Sequence, residues 1–263
     1  MVDFLDKPAY SLKDLEKLIE YLRGPDGCPW DREQTHESIR RNLLEEAYEA
    51  AQEIDSGDTQ NLIEELGDVL MQVVFHAVIA KEDGRFDLDT IADVTCKKLI
   101  RRHPHVFGDF KAEDGAQSLV FWEDMKRKEK LHDSTADAMR SVPKSLPELW
   151  RAEKIQKKAA KVGFDWPDHT GAVGALQSEL AELQEAISSG DGIEEELGDI
   201  LFSVVNVARF FDLDPEQALG SASDKFISRF EKLERQAKSQ GDKLEDMTLD
   251  QMEALYQKAK LEE

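Results

Sequence analysis

Cysteine is almost missing from this chain. Cys28 and Cys96 are the only two in 263 residues, too few for a disulfide framework or a cysteine-ligated zinc cluster. Proline (8) and glycine (15) are sparse, with no long low-complexity tract, and 40% of residues are hydrophobic, a globular composition. No apolar run reaches 18 residues, and the start, "MVDFLDKPAYSLKDLEKL", is mixed rather than a charged-then-apolar leader. The expectation is a soluble cytoplasmic protein with no membrane partner. Positive charge is also short: 34 Lys and Arg stand against 56 Asp and Glu, a formal charge of −22. A nucleic-acid polymer is an unsuitable partner for such a surface. A small phosphorylated ligand is not, because a bound cation reverses the local sign.

Strand signals are scarce as well. Apolar residues recur at helical spacing, as in Leu62, Leu66, Val69, Val73 and Ala77, so the expected fold class is all-α. What the chain has instead is a repeat. "EELGDVLMQVV" (64–74) returns as "EELGDILFSVV" (195–205), identical at eight of eleven positions and offset by 131 residues. "GCPW" (27–30) answers "GFDW" (163–166), "KLIRR" (98–102) answers "KFISR" (225–229), and Trp122 with Lys126 answers Tyr256 with Lys260. The common order points to tandem duplication. The expected division is an N-terminal helical domain over 1–130, a linker over 131–148, and a C-terminal helical domain over 149–263.

Each half has one acidic hairpin. Residues 43–54 and 62–79 read as amphipathic helices joined by "DSGDTQN", and so short a connection implies antiparallel neighbours. Residues equally far from the turn then lie at the same height. Glu49 and Glu65 are each eight residues from Gly57, and Glu46 and Asp68 are each eleven. In the second half Glu182 and Glu196 are each seven from Ser189, and Glu179 and Asp199 each ten. On a wheel of ~100° per residue, these acids border the apolar stripes, whereas Glu45 and Glu64 do not. Position 45 becomes Ser178 and position 53 becomes Ala186 in the repeat. Solvated surface acids are the alternative, but they do not explain a mirrored, duplicated set. Converging carboxylates repel, and a hard divalent cation, Mg²⁺ or Mn²⁺, relieves them with all-oxygen ligation. Gly67 and Gly198 precede the aspartates, either to admit a neighbouring helix or phosphate or simply to let helices pack.

Magnesium held by carboxylates recruits phosphate oxygens, and such a site also needs protein cations. Lys225 and Arg229 are one turn apart, and Lys260 shares a helix face with Tyr256. Lys98, Arg102, Trp122 and Lys126 repeat them in order.

The ExxE and ExxD pairs, "GCPWD", "RRHPHVF" and "KIQKKAAKVGFDW" together resemble the MazG family of tandem-domain nucleoside triphosphate pyrophosphohydrolases, over roughly residues 10–260. The resemblance implies an all-α NTP pyrophosphatase fold, commonly a homodimer. It also implies Mg²⁺-dependent hydrolysis of NTPs and dNTPs to monophosphate and pyrophosphate, clearing unwanted nucleotides. By this resemblance Glu179, Glu182, Glu196 and Asp199 are the catalytic metal ligands, with Glu46, Glu49, Glu65 and Asp68 as their counterparts. Lys225, Arg229 and Lys260 hold the triphosphate, and Lys158 and Trp166 join the substrate contacts. Tyr256 stands where the family often has Trp.

The helix before "GFDW" carries Lys154, Lys157, Lys158 and Lys161, whereas the matching stretch offers Lys17 and Arg23. The C-terminal half is therefore the expected main catalytic unit. Two rival readings follow other residues. A ferritin-like di-metal oxidase wants ExxH pairs, and Glu33–His36 and Glu129–His132 have that spacing outside the hairpins. "HPH" (103–105) and "HD" (132–133) have no echo in the second half and read as structural or surface. A nucleotide-sensing or partner-binding module with little turnover is the non-enzyme alternative.

Overall fold

The computed structural model describes residues 7–108, 111, 114, 115, 117, 118, 121, 122, 125 and 134–261. The regular elements among these are all helical, with no strand. None of the described helices is long and apolar enough to cross a membrane. The chain divides into two compact units, Met1–Lys130 and Leu131–Glu263.

The first unit contains α1 (Leu12–Arg23), α2 (Pro29–Glu33), α3 (Arg40–Ser56), α4 (Thr59–Glu82), α5 (Leu88–Arg102) and α6 (Pro104–Phe107). Helix α1 begins with a reciprocal capping box between Ser11 and Asp14, which satisfies amides otherwise orphaned at a helix start. Helices α3 and α4 pack as the hairpin. Their connection is tighter than the seven residues expected: Gly57 and Asp58 alone separate them. Gly57 adopts φ 74°, a left-handed C-cap. The Asp58 carboxylate accepts from the Gln60 and Asn61 amides at 2.9 and 3.1 Å, so the helix starts well before its apolar stripe.

Helix α4 has two characters. Its C-terminal part buries Val74, Phe75, Val78 and Ile79 with Ile19 and Ile39 in one core cluster. Each such side chain contributes ~1.5–3 kcal/mol on full burial. Its N-terminal part, which carries the acids, stays near the surface: Leu66 is 51% exposed. On α3, Ala50 is buried but Ile54 is exposed. The hairpin's apolar stripes are thus only partly covered within the unit.

The second unit contains α7 (Thr135–Arg140), α8 (Glu148–Ala160), α9 (His169–Ser189), α10 (Ile193–Phe210), α11 (Pro215–Gln240), a 3₁₀ turn (Leu244–Asp246) and α12 (Leu249–Leu261). Helix α7, inside the stretch expected to join the halves, packs on α8. Helices α9 and α10 form the equivalent hairpin, again with a left-handed glycine, Gly190 at φ 78°, ending the first helix. Leu233, Ala237 and Leu255 join α11 to α12 in a second core cluster. Asp214 caps α11 and accepts the Trp150 indole N–H at 2.8 Å, which ties the start of α11 to α8.

Candidate metal and nucleotide site

Folding the hairpins brings the acids together, three at a time. In the first unit, carboxylate oxygens of Glu46, Glu49 and Glu65 all lie within 4.8 Å of one another. In the second, the same holds for Glu179, Glu196 and Asp199. The fourth member stands just outside each trio but within electrostatic reach. Asp68 acts on Glu46 and Glu65, and Glu182 acts on Glu179 and Glu196. The two halves omit different positions. Glu49 belongs to its trio, whereas its counterpart Glu182 accepts the Ser178 hydroxyl at 3.0 Å. Ser178 was legible only as the residue replacing Glu45, and it holds the acid that stands apart. Glu45 itself pairs with Arg41 at 2.6 Å, away from the cluster as its wheel position requires.

Like charges at this spacing hold protons more tightly. Glu46 is pushed above the ordinary carboxylate value by partial burial first, then by Asp68, Glu49 and Glu65. Partial burial followed by Glu49 and Asp68 raises Glu65. In the second unit burial and then Glu182 and Asp199 raise both Glu179 and Glu196. The Glu196 Oε2 atom is buried without a hydrogen-bond partner. An acceptor-only oxygen left so, beside two other carboxylates, is the donor set that a hard cation fits.

Among the described residues, nothing packs closely against Gly67 or Gly198. A Cβ built at either position meets nothing within 4 Å. The backbone beside each acid pair is open.

The expected phosphate cations lie on neighbouring helices. Lys98 and Arg102 are on α5, which packs on α4, and Lys225 and Arg229 are on α11, which packs on α10. Lys225 and Lys260 are exposed, and Lys98, Arg102, Lys158 and Arg229 are half-buried. Tyr256 lies 5.7 Å from the Phe226 ring, which itself lies 6.0 Å from Phe230. In the first half Trp122 is met by the Arg102 guanidinium at 5.5 Å. Lys126, Glu129, His132 and Asp133 lie outside the described residues. Two cations counted by sequence turn elsewhere. Arg23 is buried against Glu82, and Lys157 pairs with Glu153 at 2.6 Å.

Structure adds a support for the "GFDW" loop that no sequence signal marked. Arg209 of α10 donates to Asp165 at 2.8 Å and to Asn206 at 2.7 Å. Its guanidinium, through that bond first, holds Asp165 below the usual carboxylate range. Trp166, 47% exposed, lies against the first turn of α9. A Cβ at Gly171 would come within 2.7 Å of its ring, so glycine is required there by contact.

Two all-helical units, each closing an acid cluster at a helical hairpin, define a tandem all-α protein. The chain belongs to the MazG nucleotide pyrophosphohydrolase family, whose domain is matched twice, at residues 34–107 and 168–233. It is 44% identical to the nucleoside triphosphate pyrophosphohydrolase/pyrophosphatase MazG of Thermotoga maritima, over 94% of this chain and 95% of that protein. Identity is 41% to the nucleoside triphosphate pyrophosphohydrolase of Escherichia coli K12, over 94% and 95% respectively. The uncharacterized protein YabN of Bacillus subtilis is 45% identical over 95% of this chain, which spans 52% of its length.

Proposed function

We propose that this nucleoside triphosphate hydrolase cleaves NTPs and dNTPs between the α- and β-phosphates, with Mg²⁺ or Mn²⁺ held in the carboxylate clusters. The observation that carries the reading is the close trio of carboxylates in each hairpin, with an unpartnered buried oxygen on Glu196. Glu179, Glu182, Glu196 and Asp199 hold the cation in the C-terminal half, and Glu46, Glu49, Glu65 and Asp68 in the N-terminal half. Bound metal supplies the positive charge that offsets clustered carboxylates and phosphate oxygens.

The chain's own residues do the rest. Lys225, Arg229 and Lys260 bind the triphosphate, Lys158 and Trp166 flank it, and Tyr256 offers a ring to the base. A cage carboxylate orients the attacking water and accepts its proton. The water oxygen bonds to the α-phosphorus while the bond to the bridging oxygen breaks, and pyrophosphate leaves with that electron pair. Lys98, Arg102, Trp122 and Lys126 are the corresponding set in the first half.

The C-terminal half is the main catalytic unit in this reading, since Arg23 of the other half is committed to Glu82. A homodimer is part of the proposal. Its support is the apolar surface that the hairpins leave open beside Gly67 and Gly198, including Leu66 and Leu70 in one half and Leu197 and Leu201 in the other. The protein acts on free nucleotides in the cytoplasm, not on polymers or membranes.

The test is product analysis with NTPs and dNTPs plus Mg²⁺, followed by separate Glu182→Gln and Glu49→Gln substitutions. Pyrophosphate with monophosphate is expected, with kcat falling at least about 10²-fold for Glu182→Gln and less for Glu49→Gln. Orthophosphate with diphosphate would refute the cleavage site, and a larger loss from Glu49→Gln would refute the assignment of halves.

A further inference from the structure

The N-terminal unit contains a histidine pair that the proposed chemistry does not use. His36 lies in the turn leading into α3, and His76 lies on α4, two helical turns beyond Asp68. Their Nδ1 atoms are 2.7 Å apart. The rings are nearly parallel, 6° between planes, with centroids 5.0 Å apart, and Phe86 stacks against His36 at 6.5 Å. Three residues after His36, Ile39 enters the core cluster against Val74, Phe75 and Val78 of α4. The pair therefore fastens the start of the helix carrying Glu46 and Glu49 to the helix carrying Glu65 and Asp68.

Only one nitrogen of that contact can carry a proton. The Nε2 of His36 is buried and has no partner, and an orphaned N–H costs more than a bare acceptor nitrogen. His36 is thus protonated on Nδ1 and donates to the bare Nδ1 of His76. One further proton, on His36 Nε2, preserves the bond. A proton on His76 Nδ1 sets two N–H groups against each other across 2.7 Å, and the bond is lost.

The repeat supplies its own comparison. His169 precedes Glu179 by ten residues, as His36 precedes Glu46, but the position matching His76 is Val207, eight residues after Asp199. His169 rests on the Phe211 ring at 5.2 Å instead. Only the first half has an imidazole on each side.

We propose that the His36–His76 hydrogen bond is a proton-operated clamp that positions α3 against α4, and so sets the spacing of the N-terminal carboxylate cluster. Burial, and then His36, hold the His76 proton affinity below the ordinary imidazole value. The unfolded chain therefore binds a proton at His76 before the folded chain does, and the clamp weakens as pH falls below about 6.5. The charged groups of the surrounding elements are otherwise engaged. From α1, Arg23 binds Glu82, while Glu16 and Glu20 take Lys81. Arg85, after α4, pairs with Asp83, and Asp87, before α5, caps Thr90. Glu37, beside His36 in the chain, is the acid in electrostatic contact with it.

The test is amide hydrogen exchange on the metal-free chain at pH 7.5 and 6.0, corrected for intrinsic exchange rates. Peptides over 35–56 should lose about threefold protection on acidification, whereas 169–189 should not. His76→Gln, which keeps a polar side chain but does not titrate, should remove the difference between halves. Equal pH responses of the two hairpins in the parent protein would overturn the clamp, and so would an undiminished response in His76→Gln. The parent comparison needs no variant to fold. The consequence for metal rests on the proposed reading of the acid cluster. In a Glu179→Gln/Glu196→Gln background, Mn²⁺ affinity at the first hairpin should fall steeply from pH 7.5 to 6.0, and adding His76→Gln should make that fall shallower. No Mn²⁺ bound at either pH would overturn the metal reading while the exchange result still decides the clamp.

Discussion

Replacing Arg23 by Leu separates a structural cation from a phosphate-binding one. By sequence, Arg23 sits before "GCPW" where the second half carries its lysines. In the fold its side chain is only 5% exposed. It donates to both Glu82 oxygens at 2.9 and 2.7 Å and to the Asp31 and Gln34 carbonyls at 2.6 and 3.1 Å. The guanidinium also lies 5.3 Å from the Phe75 ring centroid. Glu82 is 45% exposed, so water solvates its carboxylate once Arg23 is gone, and the ion pair itself contributes little. The two carbonyls matter more, since hydrogen bonds from a charged donor contribute ~1.5–3 kcal/mol each. Against them stands the desolvation of the guanidinium, which Leu avoids. The net expectation is a loss of ~3 kcal/mol for the N-terminal unit. With a urea slope of ~2 kcal/mol/M, its unfolding midpoint drops by about 1.5 M. The assay is urea unfolding read by exchange on peptides of that unit, beside nucleotide hydrolysis by the whole protein. An unchanged midpoint with weakened nucleotide binding would refute the reasoning and return Arg23 to the phosphates.

Gly171→Ala should drive the Trp166 ring from the first turn of α9, because the new methyl would meet it at 2.7 Å. A cost of ~1–3 kcal/mol to the C-terminal unit and a red-shifted tryptophan emission are expected; unchanged emission and stability would show that the loop yields without cost. Mg²⁺ binding should release protons at pH above 4.5, since Glu46, Glu65, Glu179 and Glu196 keep theirs above that ordinary value. The same shifts mean that the metal-free fold loses stability as pH rises above 4.5 through the raised range, where the unfolded carboxyls ionise first. Calorimetry in two buffers of different ionisation enthalpy measures the release, and buffer-independent heats in that range would contradict the acid clusters as the metal's ligands.

The helical class and the duplication were legible in the chain, and so was the approach of Glu49 to Glu65 and of Glu179 to Asp199. Helical periodicity places side chains on faces, and a short antiparallel connection equates distances from the turn. Helix starts were less legible: α4 begins at Thr59 because the Asp58 carboxylate satisfies two amides, a contact that hydrophobic spacing does not register. The sequence left Gly67 and Gly198 open between admitting a neighbour and packing helices, and among the described residues nothing lies within 4 Å of a Cβ built at either.

The sequence by itself determined the helical class and the repeated order of acids and cations, because both follow from local helical periodicity and order along the chain. Tertiary structure decided which three acids close within 4.8 Å, that Arg23 belongs to the core rather than to a ligand, and that Trp166 depends on Gly171. It also decided that His36 meets His76, forty positions away. These outcomes turn on ångström-scale distances between helices, set by packing of residues far apart in the chain, which periodicity along a single helix does not encode.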